Sequence, residues 1–195
     1  MANILYGVNG EGAGHSTRAK EVLSHLVANG HTVHVASFDR GLRNLQGDFE
    51  VTEIYGFRFS YVNNRVRYKR TIAKNLITVP QAAKSLRRLT DLVDECKIDL
   101  VITDFEPMTC HVGHNRRLPV IAIDNQHCLT NTIVTYPREY RRDAAAAKLV
   151  TRQYHGRSLR EQQGGQHVSF LPFSQVDDLL VGGWYDFVDK LQKLV

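Results

Sequence analysis

Five short apolar runs alternate with helical stretches over most of the sequence, which predicts an α/β protein built around a parallel sheet. The first run, NILYGV, is apolar throughout, as is typical of a strand that helices cover on both faces. The stretch that follows has apolar residues at helical spacing and ends at an Asn-Gly pair. Because crossovers between parallel strands are right-handed, these units predict a doubly wound parallel sheet, Rossmann-like, in a single domain.

The predicted elements follow one another regularly along the chain. A helix covers about residues 15–29, and HTVHVASF and FEVTEIYGF are the second and third strands. A helical region covers about 71–96 and is broken or bent at Pro80. IDLVITDF and PVIAID are the fourth and fifth strands, separated by a short helical stretch after Pro107. The expected strand order across the sheet is 3-2-1-4-5.

The last part of the sequence has a different character. The stretch from YPREY to LREQQ predicts a long charged helix, GGQHVSFLPF predicts a turn and a short strand, and WYDFVDKLQKLV predicts a closing helix. We therefore divide the chain into a Rossmann-like domain over residues 1–165 and a tail over residues 166–195.

Composition excludes several classes of protein. Hydrophobic residues make up 43% of the 195 residues and charged residues 23%, as in a soluble globular domain. The sequence has no apolar run of the length that spans a bilayer and no basic region before its first apolar run, so neither a membrane span nor a secretory signal is expected. The three cysteines are expected to be reduced thiols in a cytoplasmic protein. No cofactor is expected, and no metal site either, because one His/Cys group fits no zinc spacing: Cys110, His111, His114, His127 and Cys128.

The basic residues are concentrated in one segment, residues 58–88. No acidic residue lies between Glu53 and Asp91, whereas nine lysines and arginines do. Together with the aromatic residues among them, they predict peripheral contact with an anionic membrane, at the inner face if the protein is cytoplasmic. Nucleic acid is not expected as a partner. The alternative is a solvated helix face whose acidic neighbours are brought close by folding.

Polar residues follow three of the predicted strands. Because parallel strands present their carboxyl ends at one edge of a sheet, these residues are expected to surround one crevice. Glycines after the first strand let backbone N–H groups approach a ligand, and the next helix presents its positive end there. The candidate residues are Gly10, Gly12, Gly14 and His15 after the first strand, Asp104 and Glu106 after the fourth, and Asp124, Asn125, Gln126 and His127 after the fifth.

The glycine-rich loop has three interpretations. A dinucleotide fingerprint needs Gly-x-Gly-x-x-Gly, but here the glycines fall at every second position, with Asp39 as a possible ribose partner. A Walker A loop needs a lysine before Ser16 or Thr17, and none is present. The third interpretation is a sugar-transfer loop.

The stretch GVNGEGAGHSTRAKEVLSHLVANGHTVHVAS resembles the first βαβ unit of GT-B-fold glycosyltransferases. It is similar to the group that includes the N-acetylglucosaminyl transferase of peptidoglycan lipid synthesis. VITDFEP and IAIDNQH resemble later strand ends in bacterial and archaeal relatives of that enzyme, so the resemblance covers about residues 1–140. It implies two Rossmann-like domains, of which the N-terminal one binds the acceptor and the C-terminal one holds most of the nucleotide-sugar donor.

The resemblance favours His15 as the catalytic base that takes a proton from the acceptor hydroxyl, with Asp104 or Glu106 orienting its ring. The alternatives are a loop histidine that bonds to the backbone, and carboxylates that cap the helix near Pro107. The run Asp124, Asn125, Gln126 and His127 offers the donors and acceptors that sugars require, or caps the next segment.

The predicted function is therefore the acceptor-binding half of a glycosyltransferase that uses a nucleotide-sugar donor and a hydroxyl acceptor, with a lipid-linked acceptor as one option. The 195 residues leave no room for a donor domain, so the chain alone is expected to be inactive unless a separate donor domain completes it. The alternative is a non-catalytic nucleotide- or polyanion-binding module.

Overall fold

A six-stranded sheet forms the centre of the fold. The computed structural model describes residues 1–56, 61–62, 65–66, 78–124, 126, 135, 137–153 and 168–170. The sheet strands are β1 (Asn3–Val8), β2 (Thr32–Ser37), β3 (Val51–Glu53), β6 (Leu100–Asp104), β7 (Val120–Ala122) and β8 (Val168–Phe170). Their order is β3-β2-β1-β6-β7-β8, and every neighbouring pair is parallel. The predicted fold class and the order of the first five strands are confirmed, and β8 extends the sheet at the β7 edge.

One described helix was not predicted. The described helices are α1 (Gly14–Ala28), α2 (Asp39–Leu45), α3 (Val79–Glu95), α4 (Pro107–Asn115) and α5 (Arg141–Gln153), and a 3-10 turn (Arg138–Tyr140) precedes α5. The sequence did not predict α2. Pro80 lies in the first turn of α3, where its missing N–H breaks no helical hydrogen bond. The predicted helical residues before 78 and after Gln153, and the closing helix near the C-terminus, lie outside the described residues.

A small antiparallel pair stands apart from the main sheet. It consists of β4 (Tyr61–Val62) and β5 (Arg65–Val66), and Tyr61 is paired with Val66. The sequence did not predict this pair, which falls inside the basic segment.

Two apolar clusters cover the two faces of the sheet. On one face, Tyr6 and Val8 of β1 pack with Leu23 of α1 and Leu45 of α2. On the other face, a second cluster contains Leu5 of β1 together with buried residues of α3 and α4. The alternation along β1 follows from the two-residue period of a strand, and it explains why this run is apolar throughout. No described helix combines the length and apolar character that crossing a membrane requires.

The carboxyl ends of the three central strands lie side by side. In the register of the sheet, Val8 of β1 is opposite Asp104 of β6, and Ala122 of β7 is opposite Thr103. The ladder continues past the strand ends, because Asn9 N donates to the Asp104 carbonyl at 3.1 Å. The chain crosses from β1 to β2 in one direction and returns to β6 in the other, so this edge is the topological switch point where open α/β sheets bind ligands.

Candidate active site

The loop from β1 to α1 needs two of its glycines for its own folding. A Cβ on Gly10 would lie 2.1 Å from the Phe38 carbonyl oxygen, so a side chain does not fit there. Gly12 has φ +87°, a conformation that glycine adopts readily. Gly14 is different, because a Cβ there would meet nothing within 4 Å. Space above Gly14, at the first residue of α1, is therefore open to a ligand.

The N-cap residue of α1 provides no side-chain cap. It is Ala13, and the first turn of the helix contains no acidic residue. Backbone N–H groups at a helix N-terminus carry a partial positive charge that anions or capping oxygens normally satisfy. This end of α1 can therefore accept a phosphate or another anion.

His15, in the first turn of α1, contacts Asp104 at the end of β6. Its Nδ1 lies 2.6 Å from Asp104 Oδ1. The Asp104 side chain is completely buried, and the His15 side chain is 16% exposed. A carboxylate accepts hydrogen bonds, so Nδ1 is the protonated nitrogen and Nε2 is free to accept a proton. Among the described residues, no side chain or backbone group bonds to Nε2.

Arg18, which the sequence did not single out, binds the same carboxylate. Its Nε donates to Asp104 Oδ2 at 2.9 Å, and its terminal nitrogen donates to Oδ1. Burial opposes the charge of Arg18, but the hydrogen bonds and negative charge of Asp104 outweigh it and raise the pKa of Arg18. Beneath them, burial and the charge of Asp104 raise the pKa of Tyr6 well above its ordinary value. The only signal in the sequence was the three-residue spacing of His15 and Arg18, which places both on one helix face.

Phe105 and Asn9 hold the two loops together. The Phe105 ring stacks on His15, with centroids 6.4 Å apart and planes 10° from parallel. Its backbone has φ 53°, a conformation that costs energy for a residue with a side chain and that is common at functional sites. Asn9 Nδ2 donates to the Phe105 carbonyl at 2.9 Å, and Asn9 Oδ1 accepts from Glu11 N at 2.7 Å. The glycine-rich loop and the β6 end are thus one connected structure.

Glu106 caps α4. Its Oε1 accepts from Met108 N at 3.0 Å, and its Oε2 accepts from Thr109 N at 2.6 Å and from Thr109 Oγ1 at 2.7 Å. The residue is 1% exposed. Burial raises the pKa of Glu106, and these hydrogen bonds offset the effect only in part. Of the interpretations that the sequence left open for Glu106, the geometry favours the cap over orienting His15 or binding substrate.

Residues 2–159 match the protein family described as Glycosyl transferase family 1. The chain belongs to this family. The predicted resemblance to the N-terminal domain of GT-B glycosyltransferases is thereby confirmed. No curated protein matches the sequence.

Several solved glycosyltransferases are similar to this family member. MurG of Acinetobacter baumannii is 16% identical, with 64% of this chain and 36% of that chain covered and a TM-score of 0.46. CalG4, the calicheamicin glycosyltransferase, is 17% identical over 76% of this chain and 37% of that chain, with a TM-score of 0.49. The glycosyltransferase VinC, solved in complex with dTDP, is 16% identical over 87% of this chain and 49% of that chain, with a TM-score of 0.46. The chain spans between about a third and a half of the length of these structures.

The loop after β7 brings Asp124 and Gln126 to the same edge of the glycosyltransferase domain. Asp124 is 4% exposed, and its charge contributes to raising the pKa of Arg18, after the larger effects of burial and Asp104. Gln126 has a buried Oε1 that accepts no hydrogen bond from the described part of the chain. Asn125 and His127 lie outside the described residues.

The other polar residues considered from the sequence lie elsewhere or are engaged. The Asp39 carboxylate, the alternative ribose partner, accepts from Arg43 at 2.8 Å. Burial raises the pKa of the Cys110 thiol to about 12. Within the described ranges, no three His, Cys, Asp or Glu side chains are grouped as metal ligands.

The described part of the basic segment is mixed in character. Lys84, Arg87 and Arg88 are exposed on α3. Arg88 also lines a groove of about 580 Å³ together with the acidic residues Glu50, Asp91 and Glu95. Asp91 and Glu95 belong to the same helix as Arg88, and the fold adds Glu50 to this groove, which is compatible with the solvated-face alternative.

Proposed function

We propose that this chain is the acceptor-binding half of a glycosyltransferase that moves a sugar from a nucleotide-sugar donor to a hydroxyl of the acceptor. In this proposal His15 is the general base and Asp104 orients it. Gly10, Gly12 and Gly14 shape the loop beside the substrate, and Asp124, Asn125, Gln126 and His127 bind its polar groups.

The contact between His15 Nδ1 and Asp104 Oδ1, at 2.6 Å, carries the proposal. The contact joins two residues that are far apart in the sequence, and it lies at the switch point of the sheet. The chain that contains it belongs to glycosyl transferase family 1. A carboxylate that accepts from Nδ1 leaves Nε2 as the proton acceptor, which is the state a general base needs. The alternative interpretation, in which His15 bonds only to the backbone, does not account for the buried carboxylate bonded to its ring.

The reaction that this arrangement supports is a displacement at the anomeric carbon of the donor. The acceptor oxygen forms a bond to that carbon while His15 Nε2 takes the hydroxyl proton. The bond between the anomeric carbon and the nucleoside diphosphate breaks, and the diphosphate leaves with the electron pair. Removing the proton as the new bond forms contributes about 10²–10⁴-fold in typical enzymes.

The uncapped end of α1 suits an anionic group on one of the substrates. Its N–H groups and the open space at Gly14 together favour a phosphate close to His15. The amide of Gln126, after β7, offers the donors and acceptor that sugar hydroxyls require. A lipid-linked acceptor, with its phosphate and hydroxyls, fits both features.

Most of the donor site lies outside this chain in our proposal. The GT-B plan that the family implies uses a second Rossmann-like domain for the nucleotide, and the chain spans less than half of each of the solved structures named above. A separate donor domain would complete the enzyme. We also propose a Rossmann-like domain over residues 1–165 and a tail over residues 166–195, which adds β8 to the same sheet. A cytoplasmic location and peripheral membrane contact through residues 58–88 are further parts of the proposal.

A binding experiment with one charge placed in the site tests this function. Calorimetry on the 195-residue chain is expected to show binding of a lipid-phosphate-linked sugar acceptor and little binding of nucleotide sugars. Gly14→Asp puts a carboxylate at the uncapped end of α1 and should weaken acceptor binding by about tenfold.

Gly47→Asp is the matched control, because a Cβ there also meets nothing within 4 Å and its loop lies at the opposite edge of the sheet. It should bind the acceptor as the wild type does. Tight binding of nucleotide sugars without any acceptor binding would contradict the proposal and favour the non-catalytic nucleotide-binding module.

A further inference from the structure

Arg18 is placed to act on His15 through Asp104. The two basic side chains lie three residues apart on α1, so both reach the end of β6 from one helix face. The Nε of Arg18 donates to Asp104 Oδ2 at 2.9 Å, and its terminal nitrogen donates to Oδ1. A guanidinium that holds both oxygens of a carboxylate also sets the plane of that carboxylate.

Burial makes this orientation rigid. The Asp104 side chain has no exposed surface, and the Arg18 side chain is 13% exposed. Solvent therefore does not compete for the carboxylate oxygens. Because both oxygens accept from Arg18, the carboxylate is held in one orientation. The hydrogen bond from His15 Nδ1 to Asp104 Oδ1 therefore has one geometry.

Arg18 also lies close to the His15 ring, and its charge opposes that of Asp104. Its terminal nitrogen is 3.5 Å from His15 Nδ1, longer than the 2.6 Å that separates Nδ1 from Asp104. An arginine has no acceptor atom, so this proximity acts through charge and not through a hydrogen bond to Nδ1–H.

Other titratable groups act on Arg18 from neighbouring elements. Tyr6 contributes a buried hydroxyl from β1, and Asp124 contributes a buried carboxylate after β7. Asp104 and Arg18 are the charged groups in direct contact with His15 among the described residues.

From these contacts we infer that Arg18 is a positioning residue: by holding both oxygens of Asp104, it fixes the orientation of the His15 ring with Nδ1 bonded to Asp104, so that Nε2 is the nitrogen left to accept a proton. The catalytic role of this positioning rests on the proposed function. The tautomer of the His15 ring, however, can be measured in the chain without any substrate.

Long-range ¹H–¹⁵N NMR on histidine-labelled protein gives the tautomer of His15, whose signals the His15→Gln variant identifies. Wild-type protein is expected to show one tautomer, with Nδ1 protonated. In Arg18→Met a second tautomer, with Nε2 protonated, should appear, because the Asp104 carboxylate is no longer held in one plane. Arg18→Lys, which keeps a charge but cannot hold both oxygens, should show the same second tautomer.

Arg116→Met is the matched control. Arg116 holds Asp94 with the same two nitrogens, from Nε at 2.8 Å and from its terminal nitrogen at 2.5 Å, but both side chains are exposed. This variant should leave the His15 signals unchanged. An unchanged single tautomer in folded Arg18→Met would overturn the inference. If circular dichroism shows that Arg18→Met does not fold, an unchanged single tautomer in Arg18→Lys would overturn it instead.

Transfer assays separate this inference from the proposed function. In the enzyme completed by its donor domain, Arg18→Lys should lower kcat more than it raises the KM for the acceptor. A second tautomer in the Arg18 variants together with full transfer by His15→Ala would refute the base assignment but not the positioning of the ring. An unchanged tautomer in those variants together with loss of transfer in His15→Ala would refute the role of Arg18 alone.

Discussion

Replacing Glu106 by glutamine should destabilise the fold and leave the binding of substrate unchanged. Glu106 satisfies three donors with its two carboxylate oxygens: Met108 N, Thr109 N and Thr109 Oγ1. An amide has one oxygen. If that oxygen takes the position of Oε2, both bonds to Thr109 remain, and the amide nitrogen faces the Met108 N–H. The substitution therefore replaces one hydrogen bond at the cap by two opposed donors.

The magnitude follows from this loss and from one opposing effect. A buried donor left without an acceptor costs about 1–3 kcal/mol, and losing a helix cap costs about 0.5–2 kcal/mol. The opposing effect is that glutamine carries no charge, and burial disfavours the charge of Glu106 enough to raise its pKa. We therefore expect a loss of about 1–2 kcal/mol in the free energy of unfolding at pH 7.

The sign of the pH dependence also follows from the pKa of Glu106. Because its pKa is raised by burial above the ordinary value of 4.5, the folded chain holds this proton more tightly than the unfolded chain does. The stability that Glu106 contributes is therefore lost as the pH rises from the ordinary value through the folded pKa. Glutamine does not titrate. The difference in the free energy of unfolding between the wild type and Glu106→Gln should therefore be larger near the acid end of this interval than at pH 7.

Urea denaturation followed by circular dichroism at two pH values measures both effects. Glu21→Gln, at an exposed position of α1, serves as the control and should change stability by no more than about 0.5 kcal/mol. Equal stability of Glu106→Gln and the wild type at both pH values would refute the capping argument. Loss of acceptor affinity at unchanged stability would assign Glu106 to substrate binding instead.

Three further predictions concern the loop, the thiols and the basic segment. Gly10→Ala should unfold at a lower temperature than the wild type, because its Cβ would lie 2.1 Å from a carbonyl oxygen. Gly14→Ala should unfold at the same temperature as the wild type, and equal unfolding temperatures of the two variants would contradict this prediction. Alkylation of folded protein at pH 8, mapped by mass spectrometry, should modify Cys96 and spare Cys110, whose pKa burial raises to about 12. If residues 58–88 contact a membrane, the chain should co-sediment with anionic vesicles and dissociate in salt, and equal binding to neutral vesicles would leave only the solvated-face interpretation.

Much of the sheet was predictable because its strands are apolar on both faces. Runs such as NILYGV and IDLVITD belong to buried parallel strands, and right-handed crossovers leave few orders for them. The helix α2 was not predictable in the same way. It has seven residues, buries only Gly41 and Leu45, and begins at Asp39 with φ 46°, so no helical period is visible in its sequence.

The candidate site was predictable only in part, because its chemistry depends on contacts across the sheet. The sequence places His15 and Asp104 at two strand ends, and the register of β1 and β6 brings them together across 89 positions of the chain. The pairing of Arg18 with Asp104 depends on the same register, and no sequence motif predicts it separately. Glu106 before Pro107 is compatible with a cap or a ligand, and only the positions of the Met108 and Thr109 donors distinguish the two.

The turnover number of His15→Ala tests the central claim most directly. The assay combines the chain with its donor domain and measures sugar transfer to the acceptor, with His111→Ala, an exposed histidine of α4, as the control. We predict that kcat falls by about 10²–10⁴-fold with little change in acceptor affinity, because the proton moves only in the transition state. Full turnover by His15→Ala would contradict the account.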